Sequence, residues 1–355
     1  MNKYKIDSHK LLYHVDRVSK WKNGEMVYPI YMEVSPAGSC NHRCTYCALD
    51  FMEYQRRYLE TNPFKERLTE MGQLGLKSIM YAGEGEPFRH KDMVDIINHT
   101  KASGIDVALT TNAVLMSPNI TDAILANTEW IKVSINGATD ETYAKIHQTK
   151  KGDFKMVVDN MAYANELRKK KNYKCALGMQ LLLLPENHQE TIALAKLAKE
   201  IGMDYLVIKP YSQHPQSKTE LYKDIKYSDY YYLADELKEL NDKSFQSVFR
   251  IQSMLEWDNS QRSYKRCIAL PFWSYIDSGG SVWGCSVYLG DERFLYGNIN
   301  EQSFQEIWEG EMRAKSLKWV ESELDASQCR INCRMDKINS YLQEIKEPPE
   351  HANFI

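Results

Sequence analysis

The chain has 355 residues, of which 43% are hydrophobic, and a formal net charge of −3 from 45 basic and 48 acidic side chains. This length is sufficient for two domains and a substantial core. The near balance of charge argues against the basic domain or stripe that is typical of nucleic-acid binding, so we expect a small molecule or a peptide as the substrate. The sequence has no run of about 18 apolar residues that would cross a bilayer as a helix.

The N-terminal residues mix Lys, Asp, His and Ser with isolated apolar residues, and they lack the apolar core of a secretory signal peptide. Eight cysteines are few for a disulfide scaffold in a chain of 355 residues. We therefore expect a cytoplasmic protein, in a reducing compartment where the thiols are available as metal ligands.

Short apolar runs alternate with amphipathic segments between residues 30 and 210. This alternation predicts strands joined by helices, which pair in parallel through right-handed crossovers in an α/β fold. The predicted strands are Ile30–Ser35, Ser78–Ala82, Asp106–Thr111, Trp130–Asn136, Ala176–Leu184 and Tyr205–Lys209, and the predicted helices are Asn62–Leu74, Lys91–Ser103, Ser117–Ala126, Phe154–Arg168 and His188–Ile201.

Three cysteines, Cys40, Cys44 and Cys47, share one short loop directly after the first predicted strand. Three thiolates so placed can bind three corners of a cubic iron–sulfur cluster and leave the fourth iron open for a reaction. The alternative is a structural zinc site with His42 as the fourth ligand. Zinc sites more often combine a C-x2-C pair with a second, distant pair, and His42 lies between two of the cysteines, which would require a cramped loop.

Polar motifs follow the later predicted strands. Gly83-Glu84-Gly85-Glu86-Pro87 follows the second strand, Thr110-Thr111-Asn112 ends the third, Ser134-Ile135-Asn136-Gly137 ends the fourth, and Gln180 lies in the fifth. In barrels of parallel strands the chemistry gathers at the carboxyl ends of the strands. We therefore expect these motifs and the cysteine loop to converge on one rim.

A second group of cysteines lies in the C-terminal third of the chain. Cys267 and Cys285 flank a predicted hairpin, in which aromatic and β-branched residues alternate on both sides of Ser278-Gly279-Gly280. Cys329 and Cys333 complete a set of four. Four thiolates suit a fully ligated 4Fe–4S cluster or a closed zinc site.

The C-x3-C-x2-C spacing, with Tyr46 before the last cysteine, resembles the signature of the radical S-adenosylmethionine (SAM) enzymes, and the later motifs follow in that family's order. The C-terminal cysteines resemble the family's SPASM extension, which carries auxiliary clusters. The full extension has more cysteines than the four present here. The resemblance is therefore to the shortened "twitch" form, as in the 2-deoxy-scyllo-inosamine dehydrogenase and GTP 3',8-cyclase types.

This resemblance implies a partial (β/α)6 radical SAM barrel followed by a small α+β twitch-type auxiliary-cluster domain. The expected divisions are an N-terminal extension over 1–29, the barrel over 30–215, a helical linker over 216–260, the auxiliary-cluster domain over 261–347 and a C-terminal tail over 348–355.

The resemblance also implies the cofactors and their ligands. Cys40, Cys44 and Cys47 would hold the 4Fe–4S cluster that binds SAM, and Cys267, Cys285, Cys329 and Cys333 would hold an auxiliary 4Fe–4S cluster. Glu86 would accept the methionine ammonium of SAM. Glu84 stands where the family usually has a glycine, so its contribution stays open. The expected SAM contacts are Tyr46, Gly85, Glu86, Asn112, Ser134, Asn136 and Gln180.

The implied reaction begins with one-electron cleavage of SAM to methionine and a 5'-deoxyadenosyl radical, which abstracts a hydrogen atom from a substrate C–H bond. With the auxiliary cluster as electron acceptor, we expect dehydrogenation of an alcohol on a sugar or cyclitol-like small molecule. A flavodoxin-type or ferredoxin-type protein is the expected reductant. The candidate bases for the hydroxyl proton are Lys209, Tyr211, His214 and Arg293.

Three alternatives remain at this point. The first is a peptide maturase, although such enzymes often begin with a recognition domain and only 29 residues precede the first predicted strand. The second is a redox-neutral sugar epimerase or lyase. The third is an iron–sulfur electron carrier without catalytic turnover.

Overall fold

The computed structural model describes residues 4–6, 8–259, 262 and 264–354. The strands are β1 (Tyr31–Val34), β2 (Ser78–Tyr81), β3 (Asp106–Thr111), β4 (Trp130–Ser134), β5 (Ala176–Leu182), β6 (Tyr205–Lys209), β7 (Gln246–Phe249), β8 (Trp273–Ile276), β9 (Ser281–Trp283) and β10 (Leu295–Asn298).

The helices cover the outside of the sheet and connect its strands. They are α1 (Val15–Lys22), α2 (Thr61–Gln73), α3 (Met93–Ala102), α4 (Pro118–Ile124), α5 (Asp140–His147), α6 (Asp153–Lys171), α7 (Thr191–Glu200), α8 (Leu233–Glu239), α9 (Ile251–Asn259), α10 (Phe304–Glu309), α11 (Glu311–Ser322) and α12 (Asp336–Lys346).

Within the described residues these strands form one sheet in the order β10-β9-β8-β1-β2-β3-β4-β5-β6-β7. Strands β1 to β6 each pair in parallel with the next strand along the chain. The helices between them are the crossovers that parallel pairing requires. The expected α/β partial barrel is thus confirmed, and the six predicted strands are β1 to β6.

Strand β7 was not predicted, because it lies in the segment 216–260 that the sequence suggested to be helical. Its run Gln-Ser-Val-Phe is only four residues long and pairs in parallel with β6, from Tyr205 beside Gln246 to Ile208 beside Phe249. A run this short, with two polar residues first, carries no clear strand periodicity.

The predicted hairpin is present and it extends the barrel sheet. Strand β8 pairs in parallel with β1, from Tyr31 beside Trp273 to Val34 beside Ile276, and antiparallel with β9. The C-terminal region is therefore attached to the barrel by backbone hydrogen bonds along β1.

Two large apolar cores pack against the sheet. The larger core lies between β1–β7 and their helices and extends to Ile276 in β8 and Trp308 in α10; it includes Met32 and Ile79, both without solvent exposure. The second core packs around the C-terminal cysteines and contains Trp273 and Phe294. Fully burying such a side chain contributes about 1.5–3 kcal/mol.

The two ends of the chain differ in how they are held. Before β1, the guanidinium of Arg17 donates to the carbonyl oxygens of Pro29, at 3.1 Å, and Gly75, at 2.7 Å. In the expected C-terminal tail, Phe354 is 83% exposed, and Ile355 lies outside the described residues. None of the helices in the described ranges is long and apolar enough to cross a membrane.

Candidate functional site

The cysteine loop begins at the carboxyl end of β1. The Cys47 N–H donates to the Cys44 carbonyl oxygen at 3.1 Å, and the His42 N–H donates to the Cys40 sulfur at 3.4 Å. All three cysteines are free thiols and are partly buried. Burial raises the pKa of each thiol, to about 12 for Cys40. Such a group of buried thiols loses its protons when a metal centre binds, so the donor set fits an iron–sulfur cluster.

The residues around Cys44 also permit a test of the zinc alternative. The candidate ligand atoms of His42, Cys44 and His147 lie within 4.8 Å of one another. His147 is already engaged, because its Nε2 accepts the Asn136 N–H at 3.1 Å, and its Nδ1 lies 3.5 Å from the Cys44 sulfur. This group includes only one cysteine of the loop. It therefore fits hydrogen-bonded support for Cys44 better than a metal site shared by all three cysteines.

Glu86 is a buried carboxylate beside the cysteine loop. It is 3% exposed and accepts hydrogen bonds from the Asn112 N–H at 2.8 Å, the Phe88 N–H at 3.4 Å and the Thr111 hydroxyl. No basic side chain in the described ranges forms an ion pair with it. Burial raises the pKa of Glu86 to about 7, although its hydrogen bonds oppose this shift. A buried carboxylate of this kind is stabilised by a cation, and the ammonium of an amino acid fits that role.

A glycine lets the loop that carries Glu86 contact the cysteine loop. The Glu86 N–H donates to the Ser39 carbonyl oxygen at 3.0 Å, directly before Cys40. A Cβ atom at Gly85 would lie 2.1 Å from that same carbonyl oxygen. Only glycine permits this approach without displacing the backbone. The role of Gly85 shown by these contacts is therefore close packing of the two loops.

Glu84 joins the β2 loop to the C-terminal region. Its buried carboxylate accepts the Ser278 N–H at 3.0 Å and the Ser278 hydroxyl at 2.8 Å, and the Arg57 guanidinium donates to it at 3.2 Å. Ser278 lies in the turn between β8 and β9. The residue that departs from the family pattern thus binds the turn of the C-terminal hairpin.

The other predicted SAM contacts differ in whether their side chains are free. Ser134 and Gln180 are opposite one another in β4 and β5, are partly exposed, and hydrogen-bond through their side chains to no other described residue. The Asn112 amide donates to the Asn41 side chain at 2.8 Å. Asn136 is engaged within the fold, because its side-chain oxygen accepts the Leu182 N–H at 2.6 Å. The Tyr46 hydroxyl lies 3.5 Å from His147 Nδ1.

The four C-terminal cysteines come together in the second core. Cys267, Cys329 and Cys333 each raise the pKa of the Cys285 thiol, after the larger effect of burial. Neighbouring groups donate to three of the sulfurs: the Asn339 amide to Cys267 at 3.5 Å, the Val287 N–H to Cys285 at 3.4 Å, and the Tyr288 hydroxyl, at 3.2 Å, to Cys329. Such donors stabilise thiolates and cluster sulfurs. The set fits an auxiliary cluster with four protein ligands.

The loop between Cys329 and Cys333 also contacts the barrel at two places. The Arg330 guanidinium donates to the Ser212 hydroxyl, just after β6, at 2.9 Å. Arg334 forms an ion pair of 3.0 Å with Glu33 in β1. The auxiliary cysteines are therefore held against the open side of the barrel, between β1 and β6.

Three of the four candidate bases are poorly suited to accept a proton. Tyr211 is buried, which raises its pKa to about 12, and its hydroxyl donates to Gln213 at 3.0 Å. His214 uses both ring nitrogens, one accepting the Gln216 N–H at 3.1 Å and the other lying 3.5 Å from the Ser286 carbonyl oxygen. Arg293 is exposed, and Asp291, paired with it at 2.6 Å, raises its pKa further.

Lys209 differs from these three because it faces the interior of the barrel. Burial lowers its pKa well below the usual value, and the neighbouring cation Lys132 lowers it further. Lys132 was not singled out from the sequence. The signal was available, since residues two apart in a strand share a face and Lys132 lies two residues before Ser134.

Comparison with known proteins agrees with this arrangement. The profile of the radical SAM superfamily matches residues 34–198, and the profile of an iron–sulfur cluster-binding domain called SPASM matches residues 267–334. The chain is 26% identical over 290 residues to the AdoMet-dependent heme synthase of Methanosarcina barkeri. The aligned residues cover 76% of this chain and 79% of that protein.

Two further relatives cover different shares of the chain. The GTP 3',8-cyclase of Limosilactobacillus fermentum is 31% identical over 147 residues, or 40% of this chain and 43% of that enzyme. The fold is similar to that of Streptococcus suis SuiB bound to S-adenosylmethionine, with a TM-score of 0.67, 18% identity, and coverage of 95% of this chain and 79% of that chain.

The contact between Glu84 and Ser278 leads to a stability prediction. We expect Glu84→Ala to lower the free energy of unfolding by about 1–3 kcal/mol, because it leaves the buried Ser278 N–H without an acceptor. Glu84→Gln should lose less, since its amide oxygen still accepts one bond. Urea unfolding followed by tryptophan fluorescence measures both. Glu166→Ala, at an exposed position of α6, is the control, and an equal effect of the two alanine variants would contradict the role of Glu84.

Proposed function

Because the chain combines a radical SAM domain with a C-terminal SPASM domain, we propose that it oxidises an alcohol carbon of a sugar or cyclitol-like substrate by radical chemistry. The two domains imply 4Fe–4S clusters and SAM as cofactors. When bound, these groups supply one-electron cleavage of SAM and a radical that removes a hydrogen atom from a C–H bond. The chain supplies the ligands of the clusters, the groups that orient SAM and the substrate, and the site that accepts the electron.

The observation that carries this proposal is the pairing of the cysteine loop with Glu86. Cys40, Cys44 and Cys47 are the proposed ligands of the SAM-binding cluster. The Glu86 carboxylate is close enough to raise the pKa of the Cys40 thiol. A single ligand that presents an ammonium to Glu86 and other polar groups to the open iron satisfies both features, and SAM has that composition.

Ser134 and Gln180 are the proposed additional contacts to SAM. Ser134 ends β4 and Gln180 lies opposite it in β5, and both side chains keep their hydrogen-bonding groups free within the described part of the chain. Asn136 and Gly85, by contrast, are proposed to act by holding the surrounding loops. Asn112 and Tyr46 are proposed to do both, since the Asn112 amide donates to Asn41 in the cysteine loop and the Tyr46 hydroxyl lies beside His147.

The auxiliary cysteines are the proposed basis for oxidation. A cluster with four protein ligands has no open iron, which favours electron transfer over substrate binding. An alcohol carbon that loses a hydrogen atom, an electron and its hydroxyl proton becomes a carbonyl. Bound SAM would supply the acceptor of the hydrogen atom, a cluster held by the four C-terminal cysteines would supply the acceptor of the electron, and solvent would take the proton. We assign Lys209 to substrate binding, because it faces the interior of the barrel and no described carboxylate forms an ion pair with it.

Loss of the first cluster should abolish SAM cleavage. Anaerobically reconstituted protein with dithionite is expected to form 5'-deoxyadenosine, and Cys40→Ala, Cys44→Ala and Cys47→Ala should each reduce this product at least ~100-fold, because each removes a thiolate ligand. Chromatography with mass detection measures it. Cys175→Ala is the matched control, since Cys175 is buried in the barrel core away from both groups. SAM cleavage by the triple variant would refute the ligand assignment.

Removal of the Glu86 charge should weaken SAM binding. Glu86→Gln is expected to raise the dissociation constant by ~10-fold to ~100-fold, because a charge-assisted contact is worth about 1.5–3 kcal/mol. Equilibrium dialysis with reconstituted protein measures this constant. Glu84→Gln should bind SAM normally, because in the unaltered protein the Glu84 carboxylate pairs with Ser278 and Arg57. If both variants bound SAM like the unaltered protein, Glu86 would not be the ammonium acceptor.

The auxiliary cluster should be separable from SAM cleavage. Cys329→Ala and Cys333→Ala should each lower the iron content by about four atoms per chain, the content of one cubic cluster, and still form 5'-deoxyadenosine. Iron and sulfide assays with electron paramagnetic resonance measure this loss. In the unaltered protein the organic product should be lighter than its substrate by two hydrogens. A product of unchanged mass would indicate epimerisation, and a lighter peptide would indicate peptide modification.

A further inference from the structure

Basic side chains gather inside the barrel, on the side where the auxiliary cysteine loop contacts it. Lys132 is in β4 and Lys209 ends β6, while two arginines are adjacent to auxiliary cysteines. Lys132 and the two arginines each lower the pKa of Lys209, after the larger effect of burial. We call these four residues the lumen cations: Lys132, Lys209, Arg330 and Arg334.

Among the described residues, Glu33 is the carboxylate that acts on Lys132, and Glu33 already pairs with Arg334 at 3.0 Å. Lys132 and Lys209 form no ion pair with any carboxylate of the described residues. The pKa of Lys132 falls to about 8 through burial and through the charges of Arg334 and Arg250, which Glu33 only partly offsets. Partly buried like charges without counterions are unfavourable unless a ligand compensates them.

We propose that the lumen cations bind a phosphate or carboxylate group of the substrate. The inference rests on the proposed function and specifies its substrate class, namely a sugar or cyclitol derivative that carries such an anionic group. Arginine and lysine are the side chains that bind phosphate and carboxylate oxygens best, and arginine does so in a bidentate manner. A neutral sugar would leave Lys132 and Lys209 without a counterion among the described residues.

The position of the lumen cations suits a substrate that reacts next to SAM. Lys132 lies two residues before Ser134 on the same face of β4, directly below a proposed SAM contact. Arg330 and Arg334 are next to Cys329 and Cys333 in sequence. An anion held by this group would place the attached carbon skeleton between the proposed SAM contacts and the auxiliary cysteines.

One of the lumen cations, Arg330, borders a groove at the surface. The groove has a volume of about 1140 Å³, and Trp257 and Tyr264 also line it. The two arginines are already oriented by the fold, because Arg330 donates to Ser212 at 2.9 Å and Arg334 pairs with Glu33. Lys132 and Lys209 have no such partners among the described residues, so their ammonium groups are the ones that most require a ligand.

Anion binding by reconstituted protein saturated with SAM tests this proposal. Anaerobic calorimetry with pyrophosphate, glucose 1-phosphate, glucuronate and neutral myo-inositol separates phosphate, carboxylate and neutral ligands. We expect glucose 1-phosphate or glucuronate to bind and myo-inositol not to bind. Lys132→Met and Lys209→Met should each weaken this binding at least ~10-fold, as charge-assisted contacts are lost. Lys155→Met, at an exposed position of α6, should leave it unchanged.

Two further measurements guard against variants that fail to fold. Glu33→Gln should tighten anion binding, because it removes the carboxylate that competes for Arg334. Without an anion, Lys209→Met should raise the thermal midpoint, because it relieves charge repulsion. The inference is overturned if no anion binds, if myo-inositol binds equally well, or if the lysine variants bind like the control.

The role of SAM must also be separated from that of the substrate. If anions bind only when SAM is absent, the lumen cations serve the carboxylate of SAM and the inference is wrong. Failure of the proposed function has a different signature, because binding is measured without turnover. A protein that binds glucose 1-phosphate but forms no 5'-deoxyadenosine would refute the proposed function alone, and the reverse result would refute this inference alone.

Discussion

Strand β1 is hydrogen-bonded on both sides, and the rest of the site depends on that double pairing. On one side β1 pairs in parallel with β2, and on the other with β8 of the C-terminal region. Because three parallel strands run side by side, their carboxyl ends place three loops together: the cysteine loop, the loop of Glu86 and the hairpin turn of Ser278. The contact between Glu84 and Ser278 then links the last two. The barrel and the auxiliary region are thus joined at the proposed SAM site itself.

Two kinds of uncompensated charge lie inside this structure, and they have opposite signs. Glu86 is a buried carboxylate without a cationic partner in the described chain, and Lys132 and Lys209 form no ion pair with a described carboxylate. Charges in such surroundings are costly unless a ligand completes them. The fold therefore separates a position that favours an ammonium from one that favours an anion. A cofactor and a substrate of different charge would each be directed to its own position.

The sequence predicted the features that depend on local pattern. Strands β1 to β6, the hairpin of β8 and β9, and the two cysteine groups all follow from periodicity, spacing and family resemblance within short segments. Strand β7 was not predicted, because its four residues show too little periodicity. The partner of Glu84 could not be predicted, since Ser278 is 194 positions away and the contact depends on the β1–β8 pairing. The candidate bases were chosen by residue type, and their hydrogen bonds became apparent only in three dimensions.

The lumen cations bear on which substrates such a site would reject. A neutral sugar would displace water from Lys132 and Lys209 without supplying a counterion. Leaving buried polar groups unpaired is the strongest source of discrimination that a binding site has, and it exceeds what shape alone provides. The charge of the substrate, more than the pattern of its hydroxyl groups, would then determine which molecules reach the radical. Specificity for the reacting carbon would follow from the fixed distance between the anionic group and that carbon.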